Sequence, residues 1–179
     1  MKRKIRFITE TAVMLALLVA LQALTKPMGQ LITGSFVNAV LAITVLTTGL
    51  YSGLTVAVIS PILAYLLGIA PQIITVPAIM VGNAVYVTVL HFIYHRESKI
   101  RQILAWAVAA AAKFATLYAI VVWLICGVLS EKLVTAGMLN DLMLKMLPVT
   151  FSTSQLFTAL IGGAVALLVV PSLRKALHK

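Results

Sequence analysis

The sequence predicts an all-α fold, an integral membrane bundle of six transmembrane helices with both the N- and C-termini on the cytoplasmic side. Three observations predict it. The 179 residues are 62% hydrophobic and only 10% charged, with a mean hydropathy of +1.11. A soluble domain needs far more charge on its surface, so lipid must solvate most of this one. The apolar residues fall into runs close to the roughly 20 that a helix needs to cross a bilayer. The basic residues gather at the ends of those runs, as topology signals do.

The first span covers about residues 5–24, introduced by Lys2, Arg3, Lys4 and Arg6 and broken at Thr25-Lys26-Pro27-Met28-Gly29-Gln30. Its basic start and apolar run have the outline of a signal peptide. No small-x-small cleavage site precedes Lys26, so it reads as a retained helix. From Pro27 to His95 there is no Lys, Arg, Asp or Glu. Three spans in that stretch return the Arg96, Lys99 and Arg101 cluster to the side of the N-terminus; two would put it on the wrong side. Breaks near Gly49-Leu50-Tyr51-Ser52-Gly53 and Gly68-Ile69-Ala70-Pro71 place them at about 35–51, 53–69 and 72–94. Span five covers about 103–129. Ser130 to Leu147 mixes charged and apolar residues, as an external loop with a short amphipathic helix would. Pro148 then opens span six, which runs to about Val170.

Ten of the 14 Lys and Arg fall on the inner side in this arrangement, and Lys26, Lys132 and Lys145 outside. The net charge of +10 is thereby explained by topology and by anionic lipid headgroups, with no need for nucleic acid. Six spans and their loops use the whole length, so residues 1–179 read as one transmembrane domain. The lone Cys126 cannot form an intramolecular disulfide or a multi-cysteine metal site. No cofactor is expected. The absence of a P-loop motif and of a carboxylate pair or Ser/His set at membrane depth predicts a protein that is not an enzyme.

Several polar groups stand out against this apolar background. Lys113 lies near the middle of span five, where an ammonium costs about 2.5–3.5 kcal/mol on insertion scales. It must face a polar interior or snorkel to the interface. As a functional group it would be the counter-charge of an anionic substrate. Thr116, Leu117, Ile120 and Leu124 share its face at helical spacing. Asn38, Asn83 and Tyr86 interrupt apolar spans, and an unpaired amide there is costly. Span six begins with Thr150, Ser152, Thr153, Ser154 and Gln155. Thr150, Ser154, Thr158, Gly162 and Ala166 follow at four-residue steps. Hydrogen bonding between helices and hydrogen bonding to a ligand explain such groups equally well. Thr33-Gly34-Ser35 reads as the N-cap of span two. On helix one Ala12, Ala16 and Ala20 share a face, which permits close approach of another helix, inside the bundle or from a partner.

A six-helix bundle with a basic N-terminus and an alanine stripe on helix one resembles the substrate-binding S components of energy-coupling factor (ECF) vitamin transporters. Ala12-x-x-x-Ala16-x-x-x-Ala20 is similar to the AxxxA motif of that family. Thr33-Gly34-Ser35-Phe36-Val37-Asn38, Ser60-Pro61 and Gly82-Asn83 also look like S-component sequences. The resemblance implies a multi-pass protein of the bacterial cell membrane. Such a subunit of an ABC-type importer binds a vitamin or related micronutrient from outside. It then topples and delivers its ligand inward with a transmembrane coupling protein and two cytosolic ATPases. Carried onto this chain, Ala12, Ala16 and Ala20 would dock the coupling protein. The polar residues Asn38, Asn83, Tyr86, Lys113, Ser154 and Gln155 would be the pocket candidates. Lys113 would favour a carboxylate-bearing ligand such as biotin, lipoate, nicotinate or pantothenate; neutral precursors also fit. An autonomous small carrier, an integral-membrane enzyme and an assembly subunit are the alternative classes.

Overall fold

The computed structural model describes residues 2–69 and 72–176. Ala70, Pro71, Lys179 and the side chains of Lys2 and Arg3, which enter the sequence reading of loops and topology, lie outside the described residues. The regular elements described are all helical: α1 Lys2–Thr25, α2 Gln30–Thr48, α3 Leu50–Leu66, α4 Val76–Ile93, α5 Lys99–Leu117, α6 Ser130–Thr135, α7 Asp141–Phe151 and α8 Thr153–Ala176. A π-helical stretch, Tyr118–Val128, continues α5 without a break, and short 3₁₀ turns precede α2 and α4. Five stretches are long and apolar enough to cross a membrane: Lys4–Met28, Gln30–Thr48, Ile73–Ile93, Lys99–Val128 and Asp141–Ala176. The 17-residue α3 is the shorter sixth; at 1.5 Å per residue it is about 26 Å long. The exterior is apolar, with Phe92, Ile100 and Leu168 each more than 70% exposed, as a lipid-facing surface requires.

Several boundaries differ from those read in the sequence. Helix α2 starts at Gln30, five residues earlier, because Gly29 adopts a left-handed φ of 92° and turns the chain there. Thr33-Gly34-Ser35 therefore lies inside α2 and does not cap it. The Thr33 hydroxyl instead donates to the Thr25 carbonyl at 2.8 Å and ties α2 to the end of α1. A single residue, Gly49, with φ of 98°, separates α2 from α3, about three residues before the expected boundary between spans 35–51 and 53–69. Pro148 does not open the last span. It sits inside α7, which is capped by Asn140 accepting from the Met143 N–H at 2.9 Å. The chain breaks at Ser152, and α8 begins at Thr153. The i+4 stripe from Thr150 is interrupted at that point. Residues 130–147 hold α6 and the start of α7 and are mostly exposed; Leu139 and Leu147, with Phe151 just beyond, are buried in a cluster with Ala78, Leu117 and Val121.

Helix α2 runs through the middle of the bundle, with Leu41, Ala42 and Val45 almost wholly buried. Its tightest neighbour is α8, because each helix offers the other a glycine. A Cβ on Gly34 would lie 2.8 Å from the Thr158 methyl, and one on Gly162 would lie 2.7 Å from the Ala39 nitrogen. Small residues at such a crossing bring the two backbones into contact. Gly82 does the same for α4 and α5, its absent Cβ leaving room for Leu117. On the far side of α2, a hydrogen bond between the buried Thr11 and Ser52 hydroxyls (2.8 Å) links α1 to α3.

The charged residues sort by end. Arg174 donates to the Leu46 carbonyl and lies 5.6 Å over the Tyr94 ring, so α2, α4 and α8 finish together. A surface groove lined by Lys4, Arg6 and Glu10 with Thr47–Tyr51 puts the start of α1 at the same end. At the opposite end the Lys26 ammonium donates to the Gly68 carbonyl, tying the α1–α2 turn to the end of α3.

The seam between α2 and α8 makes a direct prediction. Gly162→Val should lower the thermal stability of the detergent-solubilised protein by at least the 1–3 kcal/mol typical of overpacking, because backbone atoms occupy the needed space. Gly127→Ala, where the nearest atom is 3.6 Å from the new carbon, should melt as the wild type does. Equal melting of all three would remove the seam from the account.

Candidate functional site

Three helices bring three polar side chains together at mid-bundle. Asn38 comes from α2, Asn83 from α4 and Lys113 from α5, each no more than 2% exposed. The Lys113 ammonium donates to Asn38 Oδ1 at 2.6 Å and to Asn83 Oδ1 at 2.7 Å. Hydrogen bonds to a charged donor are the strong ones, so both amides are held with their oxygens toward the lysine. The Tyr86 ring, one turn along α4 from Asn83, faces the same ammonium at 5.6 Å. Lys113 therefore faces a polar interior and does not snorkel. Among the described residues no carboxylate pairs with it. The one ion pair described, Arg6 with Glu10 at 2.9 Å, lies near the start of α1.

Asn38 is otherwise satisfied, its Nδ2 donating to the Gly34 carbonyl (2.9 Å) and to Thr158 Oγ1 (3.2 Å) on α8. The Thr158 hydroxyl donates in turn to the Gln155 carbonyl at 3.1 Å. The network thus spans α2, α4, α5 and α8, and the glycine seam is what brings Thr158 within reach of Asn38.

Above this network lies a cavity of about 140 Å³. Its floor is Asn38, Asn83 and Lys113; its walls are Val37, Ile79, Phe151 and Gln155; its mouth lies among Lys26, Gly29, Gln30 and Ile69. Four of the six pocket candidates read from the sequence line it: Asn38, Asn83, Lys113 and Gln155. Tyr86 lies outside the lining, wholly buried, donating a long 3.4 Å bond to the Ala159 carbonyl. Ser154 is also outside it, its hydroxyl donating to the Val149 carbonyl (3.0 Å) at the α7–α8 break. Gln22 and Phe151 line the cavity but are not singled out by sequence. For Gln22 there was a signal, a lone amide in the apolar second half of α1. Phe151 carries none, since it is an apolar residue like its neighbours, placed at the cavity by the helix break at Ser152.

The face of α5 beyond Lys113 also departs from the expected one. Leu117 is buried and Thr116 and Ile120 are half-buried, but Leu124 faces out, and Val121 and Ile125 are buried in its place. The expected set assumed 3.6 residues per turn; the π-helical stretch has a wider turn and keeps a strict four-residue stripe inward. Ala12, Ala16 and Ala20 of α1 are exposed, on the side away from the buried Thr11 and Leu18. They do not serve packing within the bundle.

A family model described as ECF transporter, substrate-specific component, matches residues 6–174. The chain belongs to that family. It is thus a multi-pass transport subunit of the cell membrane, not an enzyme, and the family works with the partners of an ECF module. Neither the curated proteins nor the solved structures compared with this S component gave a match.

Asn38 holds both Lys113 and Thr158, so Asn38→Leu should cost more than a surface change. Leaving a buried donor unsatisfied costs about 1–3 kcal/mol, and more when it is charged. A lowered melting temperature in detergent is expected, and an unchanged one would show that the network does not brace the bundle.

Proposed function

We propose that the 140 Å³ cavity is the cargo site of this S component and that the cargo is a small, vitamin-like organic anion whose carboxylate meets Lys113. One observation carries the proposal: a buried ammonium at the cavity floor has neutral amides but, among the described residues, no carboxylate for company. A buried charge without a counter-charge is expensive, and an anionic ligand supplies the missing partner. Asn38 and Asn83 hold the ammonium in place beforehand, so ligand binding does not spend free energy on ordering a long flexible side chain. Gln155 adds a polar wall, and Tyr86 backs the ammonium from beneath.

The positive-inside rule supports the rest. Lys4, Arg6, Arg96 and Arg174 share one end of the bundle, and that end belongs in the cytoplasm with both termini. The cavity mouth then opens outward, where an importer takes up its cargo. Ala12, Ala16 and Ala20 offer the transmembrane coupling protein a smooth lipid-facing stripe. The two cytosolic ATPases of the module drive release inside. Residues 1–179 act in this reading as one transmembrane substrate-binding domain.

Gently purified protein should carry a small organic anion visible by native mass spectrometry, and Lys113→Met should lose it. Removing one partner of a buried charge pair costs about 2–5 kcal/mol, roughly a 30- to 4,000-fold loss of affinity. Retention of the anion by the variant would take Lys113 out of the site. Separately, Ala16→Leu should abolish co-purification with the coupling protein and leave ligand binding intact; loss of both would mean that the stripe serves folding.

A further inference from the structure

We infer that the cargo is a single-ring compound with a carboxylate at one end and a hydrogen-bond donor at the other. The inference rests on the reading of the cavity as the cargo site and concerns the shape and polarity of what fits there. Two independent observations carry it.

The first is size. An interior space of roughly 150 Å³ accommodates one benzene ring, whereas pockets for drug-sized ligands run to about 300–1,000 Å³. At about 140 Å³ this cavity takes one ring, with substituents reaching its polar ends. Val37, Ile79 and Phe151 give the ring an apolar waist.

The second is a pair of buried polar atoms that make no hydrogen bond within the protein, Asn83 Nδ2 and Gln22 Oε1, both on residues lining this cavity. Buried polar groups are nearly always partnered, so each implies a partner from outside the chain. The Asn83 amide cannot turn over, because its oxygen is committed to the Lys113 ammonium at 2.7 Å. Its N–H₂ is therefore a fixed donor beside that ammonium, which has three N–H groups and gives two of them to the asparagines. Two adjacent donors, one of them charged, suit the two oxygens of a carboxylate. Gln22, on α1, presents an acceptor from another wall and asks for an N–H or O–H on the far end of the ring.

The test is calorimetric titration of the detergent-solubilised full-length protein with four probes: 4-aminobenzoate, benzoate, 4-aminobenzamide and biotin. 4-Aminobenzoate should bind most tightly. Benzoate, lacking the donor, should bind roughly ten-fold more weakly, the worth of one hydrogen bond left unmade in a buried site. 4-Aminobenzamide, lacking the charge, should bind more weakly than 4-aminobenzoate, and biotin, with its two fused rings and long tail, not at all. Gln22→Leu should bring 4-aminobenzoate down to the affinity of benzoate while leaving benzoate unchanged. Equal affinities of 4-aminobenzoate and benzoate for the wild type would overturn the donor reading, as would a Gln22→Leu variant that weakens both alike. Biotin binding that depends on Lys113, with no binding of the single-ring acids, would overturn the size argument and leave the cargo-site reading standing. Binding by none of the four overturns this inference; the cargo-site reading then stands or falls on whether an anion co-purifies with the wild type and not with Lys113→Met.

Discussion

A single ammonium group at mid-membrane organises this protein. Lys113 is buried among apolar helices, and among the described residues no carboxylate pairs with it, so the surrounding bundle has to supply oxygen atoms. It does so from two other helices, through Asn38 and Asn83. Those amides can serve only if α2, α4 and α5 meet at the right height, and this fixes their mutual register. Asn38 in turn leans on Thr158, which reaches it because Gly34 and Gly162 let α8 lie against α2. Packing that would otherwise be interchangeable among apolar helices thereby becomes specific. Helices in lipid gain little from hydrophobic burial against one another, so small residues and polar contacts decide how they pair.

In the proposed function the same group links architecture to transport. A fully satisfied lysine would be structural and inert. Here the protein satisfies it only in part and surrounds it with a space of single-ring size. The donors left over sit beside each other at the floor, while the carboxylates lie elsewhere in the chain. That asymmetry of donors over acceptors favours anions over cations and gives a small apolar chamber a direction.

The fold was largely legible in the sequence because lipid imposes simple rules. Apolar run length gave the helices, and the spacing of basic residues gave their ends. The individual spans were less legible at their edges. Gly29 and Gly49 turn the chain in one residue each; both lie within breaks read from the sequence, but nothing there marks which residue of each break makes the turn. The floor of the cavity was readable for a physical reason: Asn38, Asn83 and Lys113 are too costly in an apolar span to be incidental. The walls were not, since Val37, Ile79 and Phe151 look like any other apolar residue until the chain is folded. Ser154 and Gln155 illustrate the limit of periodicity. They are neighbours in a polar run, yet the backbone at Ser152 sends one toward the cavity and the other into the turn.

The glycine seam also determines which parts of the molecule are free to move. With Gly162 against the backbone of Ser35 and Ala39, and Gly34 against the Thr158 side chain, α2 and α8 cannot slide or part without opening a void, which makes them the natural spine. Any widening that admits a molecule must then come from the lighter pieces hung on that spine. These are the end of α1 with Gln22, the latch from Lys26 to Gly68, and the α7 segment carrying Phe151. On the proposed reading of the cavity, gate and frame are consequently built from different helices, and a passenger enters without disturbing the register that holds Lys113.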